Sequence, residues 1–225
     1  MHANSSVKEA AKKVLAYQQT PIIILTSISR GVPDELLDSL TDEEREYIMT
    51  RAENPFEQLF YELLPQIGAA GVLSTISPVI MDLHASKPKL RTDIDGISIP
   101  LAEEEATQDY LLKEYYQPYI EAVKGLVHKT TQRFGQAHVV QVCVLPQFHM
   151  GALVKPEIAT YGNPCLDDAV HNPTDLRDLY EVSGIRYFPN HTWIGVNRKL
   201  FTTPGLRKEL LERLSRIKTE LLAKR

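Results

Sequence analysis

The residues of this chain that could carry chemistry are few and scattered. Its two cysteines are Cys143, inside an apolar run, and Cys165, in Asn163-Pro164-Cys165-Leu166-Asp167-Asp168. Thiolate, imidazole and carboxylate are the donor types that hold zinc. Cys165 with Asp167, Asp168 and His171 is therefore one donor set close together in sequence, and Cys143 is a second candidate, as ligand or nucleophile. Each has a plainer reading. A free cysteine among Val and Leu is usually a small buried hydrophobe, and polar residues in such a loop usually solvate a turn. His84, His149 and His191 could bind a metal together if the fold gathers them around one mouth, but each stands alone in sequence, the pattern of hydrogen-bonded structural or surface histidines. Arg91, Arg186 and Arg198 carry the planar fork that clamps a carboxylate. The chain has no Gly-x4-Gly-Lys, no Gly-x-Gly-x-x-Gly, no His-Glu-x-x-His, no Cys-x-x-Cys and no Gly-x-Ser-x-Gly. Its residues alone declare no reaction.

The elements that must position these groups are easier to read. The 225 residues suffice for one large domain, taken as spanning 1–225. The 43% hydrophobic and 24% charged residues exclude wholesale disorder, collagen and coiled coil. No apolar run approaches the ~18 residues of a membrane span, so no membrane is expected. Lys+Arg 25 against Asp+Glu 29 gives a net charge of -4, which argues against a general nucleic-acid-binding surface. Two cysteines cannot build a disulfide scaffold and suit a reducing compartment. The first residues lack the apolar core of a signal peptide, which favours the cytoplasm. Apolar residues at helical spacing among lysines make 1–19 a helical extension.

The β-branched run 22–25 after Pro21 reads as a strand buried on both faces. Helix is expected from Asp34 through Leu40. Thr41 with Glu44 forms a capping-box pattern that opens another. A third helix follows Asn54-Pro55 with Phe56, Leu59, Phe60, Leu63 and Leu64 on one face, and Gly68 and Gly71 should break it. Strands are expected at 72–76, 79–83 and 139–145, with an irregular excursion over 86–100. A long helix over 101–134 should be kinked or divided by Pro118. Beyond a loop-rich 146–173 come helix at 175–180, strand at 185–188 and a leucine-striped helix at 206–222. That stripe fits either the chain's own sheet or a partner subunit. The order predicts a three-layer α/β fold, a central mixed, mostly parallel sheet flanked by helices, phosphorylase/hydrolase-like.

Over residues 20–200 the order of elements and their flanking residues resembles the N-formylglutamate amidohydrolase family, zinc hydrolases related in fold to zinc carboxypeptidases. The family's strand, Val-Pro-His-Ser/Ala-Gly and Ile-Pro-x-Glu-Leu are echoed by 22–25, Thr26-Ser27-Ile28-Ser29 and Val32-Pro33-Asp34-Glu35-Leu36. Its acidic residue before a helix is echoed by Glu53. Its Ser-Arg-x-x-x-Asp-Leu-Asn-Arg is echoed by Ser77-Pro78-Val79-Ile80-Met81-Asp82-Leu83-His84-Ala85. Tyr-x-Pro-Tyr-His matches Tyr116-Gln117-Pro118-Tyr119-Ile120, and Asp-x-His-Ser-Met-Pro matches Gln141-Val142-Cys143-Val144-Leu145-Pro146. The late Asn-x-Pro-Phe-x-Gly is echoed by Asn190-His191-Thr192-Trp193-Ile194-Gly195.

The departures fall on the chemistry. By this resemblance the two zinc histidines become Ser27 and Cys143, the Asp beside the second becomes Gln141, the substrate arginine becomes Ala85, another arginine becomes Pro78, and the helix histidine becomes Ile120. Glu53 and Asp82 remain, as do Pro33, Pro118, Tyr119 and Pro146. Catalytic zinc takes three protein ligands and an open water position. Glu53 and Cys143 alone do not make that set, and no zinc or other cofactor is expected. The degenerate positions Ser27, Glu53, Ala85, Ile120 and Cys143 imply a non-catalytic relative, a binding or structural subunit with a protein partner or self-association. A small carboxylate ligand would suit a retained pocket. The alternative is a divergent amidohydrolase acting on an N-acyl amino acid, with zinc rebuilt on Glu53, His84, Cys143 and His149.

Overall fold

The computed structural model of the chain describes residues 11–14, 18–26, 31–52, 56–81, 83, 88, 90–145, 148–149, 152–153, 158–161, 190–197 and 203–223. The strands in chain order are β1 (Ala11–Val14), β2 (Ile22–Thr26), β3 (Ala70–Ser74), β4 (Asp93–Ile94), β5 (Ile97–Ser98), β6 (His138–Val144), β7 (Phe148–His149), β8 (Ala152–Leu153), β9 (Ile158–Tyr161) and β10 (His191–Val196). Six of them form one sheet in the order β1-β3-β2-β6-β10-β9. The inner strands β3, β2, β6 and β10 are parallel, and β1 and β9 join the two sides antiparallel. The expected mixed, mostly parallel sheet is present.

Strand β2 shows why the fold has three layers. All five of its residues are buried, and successive side chains point to opposite faces. Ile22 and Ile24 pack with Leu59, Phe60 and Leu63 of α3 (Phe56–Ile67) and with Leu206, Leu210 and Leu214 of the C-terminal helix, Pro204–Ala223. Ile23 and Leu25 meet the other helical layer. That layer contains α1 (Asp34–Leu37), α2 (Asp42–Ala52), α4 (Glu105–Leu111) and α5 (Gln117–Phe134). The C-terminal helix is numbered α6. Its leucine stripe is used inside the chain, against β2, β6 and β10, and is not a free face for a partner. No helix among the described residues is long and apolar enough to cross a membrane.

The local signals act as their chemistry requires. The capping box of α2 is reciprocal: the Glu44 N–H donates to Thr41 Oγ1 at 3.3 Å, and the Thr41 N–H donates to Glu44 Oε2 at 2.9 Å. Pro118 does divide the long helical stretch. Leu112–Tyr116 is a turn of π-helix, in which the Gln117 N–H reaches back five residues to the Leu112 carbonyl. Proline has no N–H for the residue four before it, and its ring crowds that carbonyl; a widened turn accommodates both.

Four expectations are corrected. Residues 11–14 form a strand where a helix was expected over 1–19. So short a segment cannot nucleate a helix cheaply, and pairing with β3 supplies hydrogen bonds at once. Gly71 does not break α3. It lies inside β3, where a methyl group would run into the Phe60 ring. The expected strand at 79–83 is a turn over 78–80, and among the described residues Met81 forms an isolated bridge with Leu90. The excursion over 86–100 contains the hairpin β4–β5, turning at Asp95-Gly96, both at positive φ. The expected helix at 175–180 and strand at 185–188 lie outside the described residues.

Candidate functional site

In open α/β sheets the crevice for ligands lies beyond the carboxyl ends of the parallel strands. Here that edge is marked by Thr26, Ser74, Val144 and Val196, the last residues of β2, β3, β6 and β10. Helix α5 returns to the same edge. Near its C-terminus, the Thr130 hydroxyl accepts a hydrogen bond at 2.7 Å from Gln18, just ahead of β2. Its last residue, Phe134, leads within four residues into the start of β6 at His138. The helix therefore runs antiparallel to the parallel strands, and its first turn, with Ile120, lies toward their carboxyl ends.

Of the degenerate family positions, Ile120 and Cys143 are described; Ser27, Glu53 and Ala85 lie outside the described residues, as do His84 and Asp82. Ile120 is half-buried against the cluster of Tyr119, Val123 and Leu126. Cys143 is half-buried in a separate cluster with Leu145, Ala159, Tyr161 and Trp193. Val144 packs through the sheet's opposite face, with α3 and α6. A single pocket floored by Val144 and Leu145 beneath Ile120 does not form, because adjacent strand residues point opposite ways.

Around Cys143 the register sets the geometry. Cys143 pairs with Gly195, which pairs with Ala159, so a row of small residues crosses three strands. The preceding row is Leu25, Gln141, Trp193 and Tyr161. Gln141 is 2% exposed, and its Nε2 donates to the Cys143 sulfur at 3.0 Å. Cys143 forms no disulfide. The Trp193 and Tyr161 rings meet edge-on with centroids 5.7 Å apart. The sequence did hold a signal for this cluster: Gln141 with Cys143, and Trp193 with Gly195, share one phase of the period-two alternation along their strands.

Among the described candidates, the register separates His191 from Cys143. His191 pairs with Val139 at the start of β10, four positions along the strand from the Cys143–Gly195 pair, so it does not share a mouth with it. His149 pairs with Ala152 in the β7–β8 hairpin. Arg91 is exposed, and its N–H donates to the Ile80 carbonyl. Cys165, Asp167, Asp168, His171, Arg186 and Arg198 lie outside the described residues. Among the described residues no group of three His, Cys, Asp or Glu side chains is placed to hold a metal. Of the two zinc-histidine positions implied by resemblance, the described one is Cys143, a thiol that accepts the Gln141 amide hydrogen bond.

One polar constellation went unread in the sequence. Asp34 and Glu35 open α1, and Tyr115 closes in on them from the π-helical turn. Tyr115 is pushed up to about 12, first by burial, then by the charge of Glu35, by Tyr110, and by Asp34 and Glu114. Tyr110 is raised chiefly by Glu35, then by burial and Glu114, and its hydroxyl donates to Glu35 Oε1 at 3.4 Å. The carboxylate in the Val32-Pro33-Asp34-Glu35-Leu36 motif thus faces phenols.

No family model matches the chain, and no curated protein is detectably similar to it in sequence. Solved structures are similar. N-formylglutamate amidohydrolase from Ralstonia eutropha JMP134 superposes with a TM-score of 0.69 at 15% identity, over 96% of this chain and 99% of that one. A gene product of Agrobacterium tumefaciens superposes with a TM-score of 0.67 at 13% identity, over 96% of each chain. The chain has the fold of the N-formylglutamate amidohydrolase.

Proposed function

We propose that this protein uses the N-formylglutamate amidohydrolase fold without zinc hydrolysis, as a binding or structural subunit. The observation that carries the reading is the state of Cys143. Where the resemblance puts a zinc-binding histidine, a thiol accepts the Gln141 amide and packs among Trp193, Tyr161 and Leu145. Without a bound metal, no water is brought to a neutral pKa and no scissile carbonyl is polarised. Ile120 adds to the case, since it offers no proton-transfer group in place of the helix histidine. A protein partner, a second copy of the chain or a small carboxylate ligand would then be what selection maintains. Two cysteines in 225 residues support a reducing compartment, the cytoplasm.

The test is hydrolysis of N-formylglutamate and other N-acyl amino acids by the full chain with added zinc. The expected result is no release of amino acid above the protein-free rate. Turnover at enzyme-like rates, lost on changing Cys143→Ser, would support instead an amidohydrolase with metal rebuilt on Glu53, His84, Cys143 and His149.

A further inference from the structure

The row Cys143, Gly195 and Ala159 leaves a trough across three strands at the carboxyl edge. Its occupants come from the chain itself. A methyl group on Gly195 would collide with Trp193 Cη2 and Cζ3 and with Leu145 Cδ2. Those two indole atoms belong to the outer ring, the part that a phenyl side chain lacks, and Trp193 stands where the resembling family has Phe. Trp193 and Tyr161 are each 3% exposed and Leu145 is 4% exposed.

We infer that Trp193 closes this trough beside Cys143, so that packing, as well as the loss of partner ligands, keeps a metal from the thiol. This rests on the non-hydrolytic reading of the site. A zinc ion bonded to a cysteine sulfur sits about 2.3 Å from it. On its packed side Cys143 meets the Gln141 amide nitrogen at 3.0 Å and the hydrocarbon of Trp193, Tyr161 and Leu145. An N–H donor and apolar carbon offer no electron pair to a cation. The thiol is only half-buried, but a metal drawn into the trough on that side would have to displace a buried amide and a buried indole together.

Trp193 is the chain's one tryptophan, so its fluorescence reports on this position in the unaltered protein. The native chain is titrated with cobalt chloride and, separately, with acrylamide. The expected result is a buried-indole emission, acrylamide quenching several-fold weaker than in the urea-unfolded chain, and no saturable quenching by cobalt. Saturable cobalt quenching that Cys143→Ser abolishes overturns the inference, as does acrylamide quenching equal to that of the unfolded chain. A second measurement isolates the outer ring. With Cys165→Ser making Cys143 the one thiol, Trp193→Phe should speed alkylation by iodoacetamide several-fold while circular dichroism shows the fold intact; an unchanged rate overturns the role given to Trp193. The two readings fail separately. A solvent-open Trp193 in a protein that hydrolyses nothing removes the closure alone. Hydrolysis by a protein whose Trp193 stays protected removes the non-hydrolytic reading and, with it, the exclusion of metal.

Discussion

Ile120 tests the site at the scale of one side chain. It lies half-buried against the cluster that contains Tyr119, Val123 and Leu126, and a histidine there would bring an imidazole to that apolar surface. Leaving such a polar group unpaired costs about 1–3 kcal/mol. Ile120→His should therefore lower the urea midpoint with the slope unchanged. A midpoint within error of the parent would mean that the position faces an open, hydrated cleft. Tyr115 provides a test by pH. Its folded-state value of about 12 exceeds the ordinary 10, so the fold favours the protonated phenol. That contribution to stability is complete below pH 10 and disappears as pH rises through 12. The phenolate absorbance lost on changing Tyr115→Phe should be a part that develops late, above the ordinary range. A difference between parent and variant that develops near 10 would contradict the burial. Tyr115 was not legible as a site in the sequence, and Cys143 was legible as a candidate without the neighbours it meets. Tyr115 depends on a π-helical turn to face Glu35, and Cys143 on the pairing of strands about 50 residues apart.

Elements divide by where their stability originates. Helices α3 and α6 and the capping box of α2 were legible because periodicity and capping are written locally. Strands β2 and β6 were legible as continuous apolar runs, which doubly covered strands require. The strand at 11–14 and the hairpin at 93–98 were not, since pairing with a partner decides the conformation of such short segments. Gly71 is the informative failure. Read as a helix breaker, it is a point of close approach between α3 and β3. Gly71→Ala should destabilise the protein by about 1–3 kcal/mol through overpacking, and Phe60→Leu should relieve part of that cost. A double-mutant cycle in urea checks this: coupling between the two changes is expected, and strictly additive penalties would place the two residues out of contact.

For the whole molecule, the fold stands clear of the chemistry. A superposition over 96% of the chain at 15% identity shows that backbone architecture tolerates almost complete replacement of side chains. Function, by contrast, resides in the few groups that a fold positions. The scaffold was readable because apolar alternation and helix signals recur over many residues. The state of the site depends on a handful of side chains whose surroundings are assembled from β6, β9, β10 and α5. The chain has the amidohydrolase fold, and we propose that it holds no catalytic zinc. Elemental analysis of protein purified without chelators tests this most directly. The expected result is zinc far below one equivalent per folded chain, unchanged by dialysis against zinc followed by buffer. One tightly held zinc per chain, lost on changing Cys143→Ser, would contradict it.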